Sequence, residues 1–215
     1  MHHFVFLSFL IAGMLCLRSE SSSAQMMVGN VEILSMELSG PGCPQGSVHP
    51  SLAPDGSALT VLYDNFVGEI SPEDHFARVI CDLRLKLRKP RAMTFAFASA
   101  DFRGFVNLEA GARASQRVRL AGGFNEDGQR DVNLSQQTWI GPLTEPFYFS
   151  AVQPEEGLLA VGCKVRRPQT MIRLRVAITL RSKKTASATG QIAIDSFDGG
   201  MTQRYHLQWS RCSQP

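Results

Sequence analysis

The stretch Cys81-Asp82-Leu83-Arg84-Leu85-Lys86-Leu87-Arg88 decides the fold class. Its cysteine and leucines fall on every second position, and Asp82, Arg84, Lys86 and Arg88 fill the positions between. Side chains along an extended strand point alternately to opposite faces, so this row has one apolar and one charged face. A helix, with its period of 3.6, would scatter the leucines around its circumference. The stretch 172–181 reads the same way. Ile172, Leu174, Val176, Ile178 and Leu180 share one face, and Arg173, Arg175, Thr179 and Arg181 share the other.

Working outward, shorter runs of strand character lie at 31–38, 58–66, 93–98, 105–110, 117–120, 146–152, 158–161, 191–194 and 205–209. Turn residues separate them, as in Pro54-Asp55-Gly56 and Asn125-Glu126-Asp127-Gly128. No run of ten or more residues carries an apolar stripe at helical spacing. Many short strands between turns predict an all-β protein, an antiparallel β-sandwich of jelly-roll-like type.

The chain has 215 residues, a formal charge of +3, 44% apolar and 19% charged residues. That suffices for one domain with a core and excludes a disordered chain. The weak basic balance argues against a nucleic-acid binder. The apolar run from Phe4 to Leu17 is too short for a comfortable membrane span, and small residues Ser22 and Ala24 precede Gln25. Residues 1–24 therefore read as a secretory signal peptide and 25–215 as one sandwich domain without an integral membrane span. Removing the leader removes Cys16 and leaves Cys43, Cys81, Cys163 and Cys212. An even number in an exported chain predicts two disulfides, and of three connectivities Cys43–Cys81 with Cys163–Cys212 is favoured.

A wider pattern joins these elements. Gly42-Cys43-Pro44-Gln45-Gly46-Ser47 is followed by Arg78-x-x-Cys81-x-Leu83-x-Leu85 and Pro90, then by Asp101-x-Arg103-Gly104 and Leu108-x-x-Gly111. Gly141-Pro142, Cys163 and Trp209-x-x-Cys212 complete it. The chain resembles the secreted family known as domain of unknown function 4360 over nearly its whole mature length. It departs from that pattern at Arg91-Ala92-Met93 and at Val161-Gly162 before Cys163. The resemblance implies an exported, β-rich protein and brings no catalytic residues with it.

Chemical signatures are sparse. The box Gly40-Pro41-Gly42-Cys43-Pro44-Gln45-Gly46-Ser47 lacks the spacing and the lysine of a phosphate-binding loop, and its prolines forbid a helix start. It reads as a turn pinned by Cys43. There is no Gly-x-Ser-x-Gly and no His-Glu-x-x-His. His49, His75 and His206 are far apart in sequence. Asp64, Glu69, Glu73 and Asp74 could supply an acid and base for glycoside hydrolysis, which makes a glycan-directed hydrolase the alternative reading. Asn125, Asp127 and Asp131 lack the closing glutamate of a calcium loop, since Gln136 stands there. No metal and no cofactor is expected.

Two features suggest ligand contacts. Arg84, Lys86 and Arg88 on one strand and Arg173, Arg175 and Arg181 on another make a basic outer face if the strands share a sheet. Lys164, Arg166, Arg167, Lys183 and Lys184 lie near the ends of the second strand. Trp139, among polar neighbours, is the candidate for stacking on a sugar, whereas Trp209 reads as core. Asn133-Leu134-Ser135 is a glycosylation sequon. The expectation is a secreted, non-enzymatic binding or cell-surface protein whose partner is an extracellular polysaccharide or cell-wall polymer. A protein-binding effector or inhibitor is the remaining reading.

Overall fold

The computed structural model describes residues 31–122, 130–155, 158, 160–161, 168–183, 187–194 and 203–212. The expected leader, Asn125, Asp127, Cys163, Lys164, Arg166, Arg167 and Lys184 lie outside the described residues. Among the described residues, twelve strands form two antiparallel sheets. One sheet has the order β1 (Glu32–Ser39), β5 (Phe76–Arg88), β10 (Gln169–Ser182), β7 (Ala112–Gly122) and β8 (Arg130–Ile140). The other has β2 (Val48–Leu52), β3 (Ala58–Tyr63), β12 (Gln203–Arg211), β6 (Met93–Leu108), β11 (Gly190–Ala193) and β4 (Val67–Ile70), with β9 (Leu143–Val152) along the second side of β6. The all-β sandwich expected from the alternating rows is the architecture found.

The inner rows make the core. Leu83, Leu85 and Leu87 of β5 and Ile172, Leu174, Val176, Ile178 and Leu180 of β10 are fully buried. They meet Phe95, Phe97, Phe102 and Tyr205 of the seven-stranded sheet in one contiguous cluster. Burying an aliphatic side chain of this size contributes about 1.5–3 kcal/mol, so alternation in two central strands accounts for much of the drive to close the sandwich. Two buried phenols need a polar partner, and both Tyr63 and Tyr205 donate to Gln203 Oε1. Burial pushes both phenols up, so they stay neutral. Gln116 is buried with no hydrogen-bond partner for its side chain among the described residues.

The chain passes from the first sheet to the second through the turn at 40–47, and the Cys43–Cys81 disulfide pins that crossover to β5. Gly42 N donates to Ile80 O at 2.9 Å, which draws the turn against the strand. Gly40 has φ +106°, and a Cβ there would stand 2.3 Å from Ile80 O. Only glycine fits both the dihedral and the approach. Ser47 donates from N and Oγ to Pro44 O and closes the loop. This box is a turn, as its sequence predicts.

Three differences from the sequence reading have physical causes. The runs at 93–98 and 105–110 are one strand, β6, since Ala100, Phe102 and Val106 continue the buried row through polar Asp101 and Arg103. β2, β4 and β8 carry weak apolar signals because they lie at sheet edges or contain polar residues. Of 158–161, Val161 makes an isolated bridge with Phe95 rather than a strand pair.

Candidate functional site

β5 and β10 are adjacent, with Arg84 opposite Arg173 and Asp82 opposite Arg175. The basic row of each strand therefore points to the same outer face. At this end, however, the charge is largely matched. Asp82 accepts from Arg173 Nε at 2.7 Å and from Arg175 through its terminal nitrogen, also at 2.7 Å. Partial burial works to raise the Asp82 carboxyl, but the two guanidinium groups hold it below the ordinary carboxylate range. Arg88 pairs with Glu32 at 2.8 Å and Arg84 stands 3.8 Å from Glu37, both pairs exposed. Four of the five cations that the sequence reading put at this end thus have a carboxylate beside them; Lys86 has no such pair among the described residues.

Toward the other end of the same face the balance changes. Arg78 of β5, Arg113 and Arg117 of β7 and Arg181 of β10 surround a depression of about 310 Å³. No carboxylate lines it, and none of the four arginines is in an ion pair among the described residues. Its floor follows from register. Thr179 lies opposite both Arg78 and Ser115, and Ser115 lies opposite Thr138. This row of small hydroxyl side chains is flanked by Arg181 and Arg113 on one side and by Ala177, Arg117 and Gln136 on the other. Small residues between long ones make the hollow; same-face neighbours along a strand are ~6.7 Å apart and strands ~4.8 Å apart. Arg117 is fixed by donating Nε and a terminal nitrogen to Gln136 Oε1, at 3.1 and 2.7 Å. Arg181 is drawn to the Phe76 ring, 5.3 Å from its centroid.

Sequence reading put Arg181 on the basic face but missed the other three arginines of this cluster. β7 does alternate, with Arg113, Ser115, Arg117 and Arg119 outward, but its inner row begins Ala112, Ala114, Gln116 and so lacks bulk. Arg78 precedes the run of leucines, and only the full length of β5 puts it on the same face as Arg84.

The outer face of the seven-stranded sheet carries a second depression, of about 420 Å³, lined by Asp101, Arg103, Tyr148 and Arg204. Asp101 is opposite Ser150 on β9 and Arg204 on β12; Arg103 is opposite Tyr148. His206 Nε2 lies 2.7 Å from Asp101 Oδ2, and Ser150 Oγ donates to Oδ1 at 2.6 Å. Partial burial acts to raise the Asp101 carboxyl, but His206 and Ser150 together hold it below its ordinary range.

Trp139 is a correction. It is 7% exposed, and its ring packs 4.6 Å from Phe147 and 6.1 Å from Phe149, centroid to centroid. β8 and β9 are edge strands of opposite sheets, and these three rings seal the sandwich between them. The polar neighbours that suggested exposure include Gln136 and Thr138 on the outer side of β8. With no ring face to offer, Trp139 cannot stack on a sugar. Trp209 is partly buried against Phe95 and donates Nε1 to Gly56 O at 2.8 Å. Asn133 is exposed on β8.

Three of the four acidic residues considered for hydrolysis hold separate partners. Asp64 pairs with His49 at 2.9 Å, Glu69 accepts from Gln191, and Asp74 accepts from Ser71. Neither depression is lined by any of them. His75 lies 3.0 Å from Ser182. No group of three or more metal-ligating side chains occurs among the described residues, nor does a helix long and apolar enough to cross a membrane.

Comparison with known proteins adds family and compartment. The chain is 28% identical over 185 residues to an uncharacterized secreted protein of Arthroderma benhamiae, covering 85% of this chain and 72% of that one. With the Cys43–Cys81 bridge, this makes the protein a secreted one. A solved carbohydrate-binding module, TmCBM61 in complex with beta-1,4-galactotriose, is 14% identical, with 84% of this chain and 90% of that one covered at a TM-score of 0.23. The sequence model of the family described as a domain of unknown function (DUF4360) matches residues 29–212, and the chain belongs to that family.

Proposed function

We propose that this protein is a non-catalytic binding protein whose ligand is an extracellular polysaccharide bearing acidic groups, held on the outer face of the five-stranded sheet. One observation supports this above others: Arg78, Arg113, Arg117 and Arg181 converge on a depression without a carboxylate, while four of the five cations at the other end of the face stand beside acids. A guanidinium fork meets a carboxylate or sulfate with two parallel hydrogen bonds. Ser115, Thr138 and Thr179 on the floor, each both donor and acceptor, suit the hydroxyls of a sugar. A hollow on an open sheet face admits a chain that continues beyond it, whereas a small molecule is normally enclosed in a concave pocket.

The test is retention of the purified, oxidised protein on immobilised polygalacturonate, alginate and heparin. Retention at low ionic strength and release by added salt are expected, because exposed charges are screened within ~10 Å at 0.1 M. Passage through all three columns without delay overturns the proposal.

A further inference from the structure

We infer a second carbohydrate site, for a neutral hexopyranose ring, on the opposite face of the molecule at Tyr148, Asp101, Arg103 and Arg204. Tyr148 is 65% exposed on edge strand β9. The next outward pair along β6 and β9 is Phe105 and Pro146, both exposed. Three apolar side chains therefore form a strip on a sheet face whose other members include Asp101, Arg103, Asn107 and Thr144. An exposed aromatic strip beside a polar hollow fits a ligand with one apolar face and a rim of hydroxyls. A pyranose has that shape: its C–H face packs on a ring while its hydroxyls reach sideways.

The hollow beside the ring supplies the sideways contacts. Asp101 offers a carboxylate, an acceptor for sugar hydroxyls, and Arg103 and Arg204 offer donors. The carboxylate is already positioned, since His206 and Ser150 each take one of its oxygens and leave lone pairs on both. A group held in place before binding loses less freedom on binding. The same carboxylate decides the ligand class. It offsets one of the two guanidinium groups beside it, so this hollow draws an acid far less than the four unopposed arginines of the other face. The two faces are therefore suited to different sugars.

The test measures binding of the oxidised protein to insoluble β-glucan, chitin and mannan at high salt, where charge-driven retention is suppressed. Binding to at least one polymer is expected, about tenfold weaker in Tyr148→Ala, which corresponds to about 1.4 kcal/mol. Tyr148→Phe keeps the ring and keeps binding; Asp101→Asn weakens it; a variant with Arg113→Gln and Arg117→Gln leaves it unchanged. Tyr148 is exposed, so its substitution leaves the core intact, which circular dichroism checks. Absence of binding to all three polymers, undiminished binding in Tyr148→Ala, or equal losses in Tyr148→Phe and Tyr148→Ala would overturn the inference.

Discussion

Arg113 of β7 and Arg181 of β10 stand directly opposite each other across the strand pair, with no acid between them. Like charges in facing positions destabilise a sheet by a few tenths of a kcal/mol, and here Arg181 turns to the Phe76 ring. A fold selected for stability alone would place an acid or a threonine at one of these positions. The expected cost of function is measurable: Arg113→Thr raises stability by about 0.5 kcal/mol at low salt and weakens retention on an acidic polymer. Thermal denaturation at two salt concentrations checks the first half, because the gain should shrink as salt screens the repulsion.

Asp82 plays the opposite part on the same face. Its carboxyl, with its residue 8% exposed, is clamped by Arg173 and Arg175. Asp82→Asn is expected to cost about 2 kcal/mol at neutral pH, since it leaves both guanidinium groups without their anion. The pH dependence has a definite sign. Because the folded-state value is depressed, the contribution is full above the ordinary carboxylate value and fades as pH falls through the folded one. Denaturant titrations of wild type and variant should therefore converge below about pH 4. A difference that grows on acidification contradicts this assignment.

The Cys43–Cys81 bridge closes a loop with a sequence separation of 38 residues. Loop closure of that length is worth about 4 kcal/mol through the unfolded chain. Cys43→Ser is expected to lower the melting temperature by about 10 °C. Calorimetry on the variant checks the magnitude, and a drop below about 2 °C would show that the crossover is held by its hydrogen bonds instead.

Trp139 serves the core rather than a ligand. Trp139→Ala should cost about 3–5 kcal/mol, and Trp139→Phe much less. The phenylalanine variant should bind every polymer as the wild type does. A selective loss of binding in that variant, with folding intact, contradicts the burial of this ring.

The central strands were legible because their two faces differ so sharply. Leu83, Leu85 and Leu87 alternate with charge, and burial in a sandwich demands that pattern. The arginine hollow was not legible, since it needs side chains from β5, β7, β8 and β10 to be brought together by register. Arg84 and Arg173 stood out in sequence, yet their value as ligand contacts depends on Glu37 and Asp82, partners that only pairing reveals. Trp139 misled for a related reason: its polar neighbours belong to an edge strand, and the rings that bury it come from β9 in the other sheet.

The most direct test of the account compares two double variants on polygalacturonate at low and moderate salt. One carries Arg113→Gln and Arg117→Gln in the hollow, and the other carries Arg84→Gln and Arg88→Gln among the paired charges. The first should bind about tenfold more weakly and with a shallower salt dependence, and the second within about twofold of wild type. Equal losses in both would mean that the face acts only through its net charge, and would contradict a built site at the arginine hollow.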